Sequence, residues 1–213
     1  MKTDELIDSL SRDVPPVTRH AVFSRLAGGI GAGAVLSFLA MWTWLGIRPD
    51  LASAAATSPY WIKFSYTLAL ALFGLWTTER LSRPAASCAT PAFGALIALG
   101  ILFAMAAAQL MGAAPAARAH LIMGSSADVC SWRIIILSLP ICAGTLWSLR
   151  ALAPTRLIVA GAVAGFGSGA LGAWIYAFHC DESAMPFVFI FYTLGIALVG
   201  ALGAVLARRI LRW

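Results

Sequence analysis

"LIVAGAVAGFGSGALGAWIYAF", residues 157–178, carries no charged side chain between Arg156 and His179. A hydrocarbon core about 30 Å thick needs roughly 20 mostly apolar residues per helical span. The stretch therefore reads as a membrane helix and sets the class of the chain. Within it Gly161, Gly165 and Gly169 recur at every fourth position, with Gly172 near the same face. That spacing lets helix backbones approach closely, as packed membrane helices do. Working outward, charged residues delimit five more apolar runs: between Arg25 and Arg48, from Tyr60 to Thr78, from Pro91 to Met111, between Arg133 and Arg150, and from Pro186 to Ala207. The expected fold is all-α, a six-helix transmembrane bundle over residues 21–213, preceded by a short arm over residues 1–20. The run between Arg133 and Arg150 is short, about 24 Å at 1.5 Å per residue. Snorkelling of the two arginines would extend its reach, and Pro140 inside it removes one backbone hydrogen bond.

Composition agrees with this class. The chain is 61% hydrophobic and 11% charged, far above the roughly 45–50% apolar usage of soluble domains. A secretory signal peptide would start with a basic stretch and an apolar run, the first twenty residues are polar instead, and none is expected. Transporters and membrane enzymes place ionisable groups inside the bundle, and these spans hold little beyond Gln109, Cys142 and a few hydroxyls. There is no carboxylate dyad, no Ser-His or HExxH arrangement and no inverted pair of interrupted helices. An enzyme, a required cofactor and a small-molecule substrate are therefore not expected.

Lysines and arginines assign the sides. Eleven fall on the side of the N-terminus, and four, Arg48, Lys63, Arg118 and Arg133, on the other. Both termini are thus expected in the cytoplasm of a bacterial inner membrane. The net charge of +6 is then a topology signal and not a nucleic-acid footprint, which needs a clustered basic face. Basic membrane edges also suit anionic membrane lipid.

The outer side receives two unusual segments, "GSSADVCSW" (124–132) and "HCDES" (179–183). Cys88 falls in a cytoplasmic loop, and Cys142 lies about 18 Å deeper than Cys130 by helical rise. Cys130 and Cys180 remain, both at the outer interface. They admit three readings: a structural disulfide, a thiol sensor, or a soft-metal site. In the last, the ligands would be Cys130, Cys180 and His179, with Asp128, Asp181 or Glu182 as completing candidates.

The arm, "MKTDELIDSLSRDVPPV", reads as an amphipathic helix. Thr3 can cap it, Asp4 and Glu5 suit its positive start, and Pro15-Pro16 ends it. Leu6, Ile7 and Leu10 form an apolar stripe that so short a helix cannot keep folded alone in water. Lipid docking favours a basic polar face, and this one is acidic. A groove on a basic protein fits better.

"TDELIDSL" (3–10), "LGIRPDL" (45–51), "GSSADVCSW", "FHC" (178–180) and "RRILRW" (208–213) together resemble the NrsF family of negative regulators of sigma factor F. The resemblance spans essentially the whole chain. It implies a membrane anti-sigma factor that holds an extracytoplasmic-function sigma factor and releases it under heavy-metal or oxidative stress. It also implies that Cys130 and Cys180 are the stress-responsive pair, that residues 1 to about 16, with Asp4, Leu6, Ile7 and Leu10, grip the sigma factor, and that a thiophilic metal ion can be the signal. A small transporter or metal exporter and a structural membrane scaffold are the competing classes.

Overall fold

The computed structural model describes residues 3–12, 18, 20–83 and 86–212. Lys2, Asp13, the Pro15-Pro16 stop and Arg19 lie outside the described residues, as does Trp213. Among the described residues the protein is entirely helical, with no strand. The arm is α1 (Thr3–Arg12). It is followed by α2 (Ala21–Ala40), which continues as a π-helical turn over Met41–Leu45, and by the short α3 (Leu51–Ala55). Then come α4 (Ser58–Leu81), α5 (Ala89–Gly112), α6 (Pro115–Met123), α7 (Ala127–Arg150) and α8 (Leu157–Tyr176). The last helical run starts as α9 (Met185–Phe187), passes through a π-helical turn at Val188–Tyr192 and ends as α10 (Thr193–Ile210).

Five stretches are long and apolar enough to cross a membrane: Ala21–Leu45, Ala89–Gly112, Pro115–Arg150, Leu157–Tyr176 and Met185–Ile210. The helix α4 matches them in length at 24 residues but is less apolar, with Lys63 near its start and Glu79 and Arg80 near its end. The helix that carries the fourth apolar run is longer than the run itself. It starts at Ala127, six residues before Arg133, and runs unbroken through Pro140 to Arg150. The helix is thus about 36 Å long at 1.5 Å per residue, with Arg133 inside it. The early start follows from the turn at Ser125 and Ser126, with Ser126 as the residue before the first helical turn.

Glycines set how close the helices come. The row in α8 faces α10: a Cβ on Gly161 would stand 2.5 Å from the Gly203 carbonyl oxygen, one on Gly165 would collide with the Val199 carbonyl, and one on Gly169 would stand 3.1 Å from Ile196 Cα. On the opposite side of α8, Gly167 lies against Gly74 of α4, while Gly172, near the face of the row and closer to the end of the helix, lies against Ser138 of α7. A second seam joins α2 to α7, where a Cβ on Gly33 would lie 2.6 Å from the Pro140 carbonyl oxygen. In consequence α8 is the buried axis, while α5 sits at the periphery with 11% of its most apolar window buried against 61% for α8.

Overpacking a seam costs about 1–3 kcal/mol. Gly165→Leu is therefore expected to lower the melting temperature of the detergent-solubilised protein. Gly100→Leu, on α5 where nothing lies within 4 Å of an added Cβ, is expected to leave it unchanged; equal losses from both would refute the seam.

Candidate functional site

Cys130 is in the first turns of α7, and Cys180 follows the end of α8 by four residues. Both belong to one core cluster at the end of the bundle remote from the start of α2, and they are 0% and 3% exposed. Their thiols form no disulfide and lie close enough to act on each other's protonation. Cys142 is buried in a separate cluster, and Cys88 lines a cavity at the opposite end.

The chain holds Cys180 in place with cations from other elements. As α8 ends, the Cys180 amide bonds to the Tyr176 carbonyl at 3.1 Å, and the Arg48 amide donates to the Phe178 carbonyl at 3.1 Å. The Cys180 carbonyl accepts from Lys63 Nζ at 2.7 Å and from Arg48 Nη1 at 3.2 Å. Lys63 Nζ also donates to the Glu182 carbonyl at 2.7 Å and stands 5.9 Å from the centre of the Tyr192 ring. Lys63 is fully buried, and among the described residues no carboxylate lies within ion-pair distance of it. Arg48 is neutralised by a bidentate pair with Asp50, both bonds at 2.7 Å. The hydrogen bond from Arg48 holds the exposed Asp50 carboxyl below the usual carboxylate range.

The segment preceding α7 is tied to the same loop. Glu182 Oε1 accepts from the Ser125 amide at 2.5 Å and the Ser125 hydroxyl at 2.8 Å. Gly124 precedes this contact at φ 53°, and a Cβ there would lie 2.6 Å from Glu182 Oε1. Gln109 of α5 accepts from the Met185 amide at 2.8 Å. Four helices and two loops thus converge on six residues of chain.

His179 does not point at the thiols. Its Nδ1 lies 2.9 Å from the Gly46 carbonyl and its Nε2 lies 3.4 Å from Arg133 Nη1. With Nδ1 donating to the carbonyl, Nε2 accepts from the guanidinium, so both ring nitrogens are engaged. Asp128 and Asp181 are exposed, and Glu182 is spent on Ser125. Among the described residues no group of three or more His, Cys, Asp or Glu side chains is arranged to hold a metal ion. The sulfurs are flanked instead by tyrosines. Tyr176 contacts Cys130 and Arg133, and the buried Tyr192 hydroxyl, which forms no hydrogen bond of good geometry, lies against Cys180.

The neighbouring Cys130 thiol, then the Lys63 ammonium nearby, hold Cys180 below the ordinary thiol range, against the opposing effect of burial. A thiolate is the reactive form. The pair is therefore equipped for two chemistries: two-electron oxidation to a disulfide, or capture of a thiophilic cation by two sulfurs. Lys63, Arg48, Tyr176 and Tyr192 are the participants that sequence reasoning missed, although a lone lysine inside an apolar run was a readable signal.

At the other extreme of the chain, α1 presents Leu6, Ile7 and Leu10 to solvent at 41%, 58% and 66% exposure. Asp4 is exposed beside them.

The family described as "Negative regulator of sigma F", NrsF, matches residues 10–213. The chain belongs to the NrsF family. A protein of Caulobacter vibrioides named "Anti-sigma-F factor NrsF" is 38% identical over 219 residues, covering 100% of both chains. A protein of Azospira oryzae named "Probable anti-sigma-F factor NrsF" is 37% identical over 214 residues, again covering 100% of both. No solved structure matches. NrsF proteins are regulators and not enzymes.

Removing the ammonium should raise the pH at which Cys180 becomes a thiolate, so its labelling profile should move to higher pH. Lys63→Met is expected to slow alkylation of Cys180 by a small maleimide at neutral pH about tenfold, with Lys63→Arg retaining part of the rate. Unchanged labelling in Lys63→Met, in protein with a wild-type melting temperature, would show that the lysine does not act on the thiol.

Proposed function

We propose that this protein is an inner-membrane anti-sigma factor with six spans and both termini in the cytoplasm. In this reading α1 grips an extracytoplasmic-function sigma factor, and chemistry at Cys130 and Cys180 on the periplasmic side releases it. The observation that carries the reading is the full-length kinship with two proteins named as anti-sigma-F factors. The exposed apolar stripe of α1 and the adjacent buried thiols support it.

The helix α4 serves as the sixth span. At 24 residues it is about 36 Å long, it lies along α8 through Gly74 and Gly167, and its lysine is satisfied by carbonyls inside the protein instead of facing lipid. Six spans return the chain to its starting side, and the bias of arginines then puts both ends in the cytoplasm. The acidic α1, with its exposed stripe of Leu6, Ile7 and Leu10 flanked by Asp4, suits a basic groove on the partner.

At the other end, a peroxide oxidises the pair in two steps. The Cys180 sulfur attacks the O–O bond to give a sulfenic acid and releases an alcohol or water; Cys130 then displaces water to form the disulfide. A thiophilic cation such as cadmium binds both sulfurs directly and displaces their remaining protons. Either event changes the charge beside Lys63. Moving a two-state equilibrium from 1:99 to 99:1 takes about 5.5 kcal/mol of differential affinity, within the range of a dithiolate metal site.

The test is co-purification of the sigma factor with the detergent-solubilised protein. Full-length protein is expected to capture it, and protein lacking residues 1–16 to lose it. Cadmium or a peroxide should release the captured factor from the wild type and leave it bound to Cys130→Ser with Cys180→Ser. Capture without residues 1–16 would remove the arm from the reading, and normal release from the double variant would remove the thiols.

A further inference from the structure

The end of the bundle opposite the cysteines carries a second built feature. Arg156 immediately before α8, together with Arg208 and Arg212 at the end of α10, lines a cavity of about 540 Å3 whose remaining walls are Leu157, Ile158 and Val159. Among the described residues none of the three arginines is paired with a carboxylate. Three guanidinium groups around one cavity repel one another and leave a positive potential that an anion relieves. Arg208 lies in the last turn of α10 and Arg212 follows its end by two residues, and the chain end brings both to the same cavity. Their distance from Arg156 is set by the closest backbone approach in the molecule's α8–α10 seam, where Gly161 meets Gly203 and Ala207. Packing of the two helices therefore fixes the backbone from which Arg156 and Arg208 project.

The apolar wall identifies the ligand class. Ile158 and Val159 are each 46% exposed and sit in the first turn of a helix that crosses the membrane, directly beside the arginines. An inorganic anion would use the guanidinium groups and ignore this wall. An acidic protein segment would meet it only by entering the level of the lipid acyl chains. A molecule with a phosphodiester head and acyl tails uses both halves at once, with arginine forks on the phosphate and the wall along the chain.

We propose that Arg156, Arg208 and Arg212 form a binding site for an anionic phospholipid between the start of α8 and the end of α10. The lipid bridges two helices of the central seam, and its occupancy adds to the stability of that seam by mass action.

The experiment uses delipidated full-length protein in a neutral detergent and reads its melting temperature with phosphatidylglycerol, with phosphatidylcholine, or with inorganic phosphate. Phosphatidylglycerol is expected to raise the melting temperature of the wild type above the value in phosphatidylcholine. The variant Arg156→Gln/Arg208→Gln/Arg212→Gln should lose that difference, whereas Arg118→Gln, at the opposite end, should keep it. If the triple variant does not fold, Arg156→Gln alone is compared by native mass spectrometry and should retain less phosphatidylglycerol than the wild type. Equal shifts from the two lipids, an undiminished shift or retention in the arginine variants, or a shift reproduced by inorganic phosphate would each overturn the proposal. So would loss of sigma-factor capture by the triple variant in lipid-free detergent, which would assign the surface to an acidic protein partner.

Discussion

The Lys63 ammonium is the constraint around which the cysteine end is arranged. A buried cation costs several kcal/mol unless it is hydrogen-bonded and its charge is met. Here the hydrogen bonds come from backbone carbonyls of Cys180 and Glu182, which are themselves a liability. Where α8 stops, the chain loses the ladder that satisfies its carbonyls, and at a membrane boundary each unpaired group is expensive. The lysine and the loop therefore answer each other's need. Arg48 reinforces the same carbonyl and has Asp50 as its own counter-charge. With no carboxylate beside Lys63 among the described residues, the polarisable sulfur of Cys180 is the nearest place for negative charge to reside, and this ties the reactivity of the thiol to the architecture of the loop.

The glycine seams explain why that arrangement is rigid. Membrane helices gain little from burying apolar surface against one another, since lipid is equally apolar, and close packing must supply the association energy. Gly165 against Val199, Gly167 against Gly74 and Gly172 against Ser138 bring α10, α4 and α7 into close backbone contact with α8. Cys180 follows α8, Cys130 rides on α7, Lys63 on α4, and Tyr192 sits at the π-helical turn that leads into α10. The four parts of the site are thus carried by the four helices that the seams lock together. The helix α5 stands outside this group and reaches the loop after α8 through the hydrogen bond of Gln109 to Met185.

Much of this was legible in the sequence because charge and apolar length are strong signals in a membrane chain. All six apolar runs are helices, and the selection of Cys130 and Cys180 by depth brings together two thiols that touch. The glycine row was also readable as a packing face. Less legible was the side of a helix on which a polar group lies. Lys63, counted as a marker of the outer side, is turned inward, and the hydropathy that flags a span is lowered by the same residue, so α4 is the least conspicuous of the six. His179, adjacent to Cys180 in the chain, is rotated away onto Gly46 and Arg133 because the turn at the end of α8 sends successive side chains in different directions. Adjacency in sequence carries little information once a helix has ended.

On the proposed reading, a change at the thiols must reach α1 on the far side of the bilayer, and the helix α4 meets the physical requirements for carrying it. One end holds the Cys180 loop through Lys63. At the other, Leu75, Trp76 and Glu79 share a cavity with His20 and Phe23, the residues where α2 begins just after the arm. Converting the pair to a disulfide or a metal dithiolate alters the charge facing Lys63, whose ammonium cannot move into lipid and cannot shed its carbonyls without replacing them. The favourable response is a shift of the helix that carries it. Because α4 contacts α8 backbone to backbone at Gly74 and Gly167, such a shift displaces a close-packed seam from one arrangement to another instead of dissipating in side-chain motion. That property distinguishes α4 from α5, whose loose packing would absorb the same displacement.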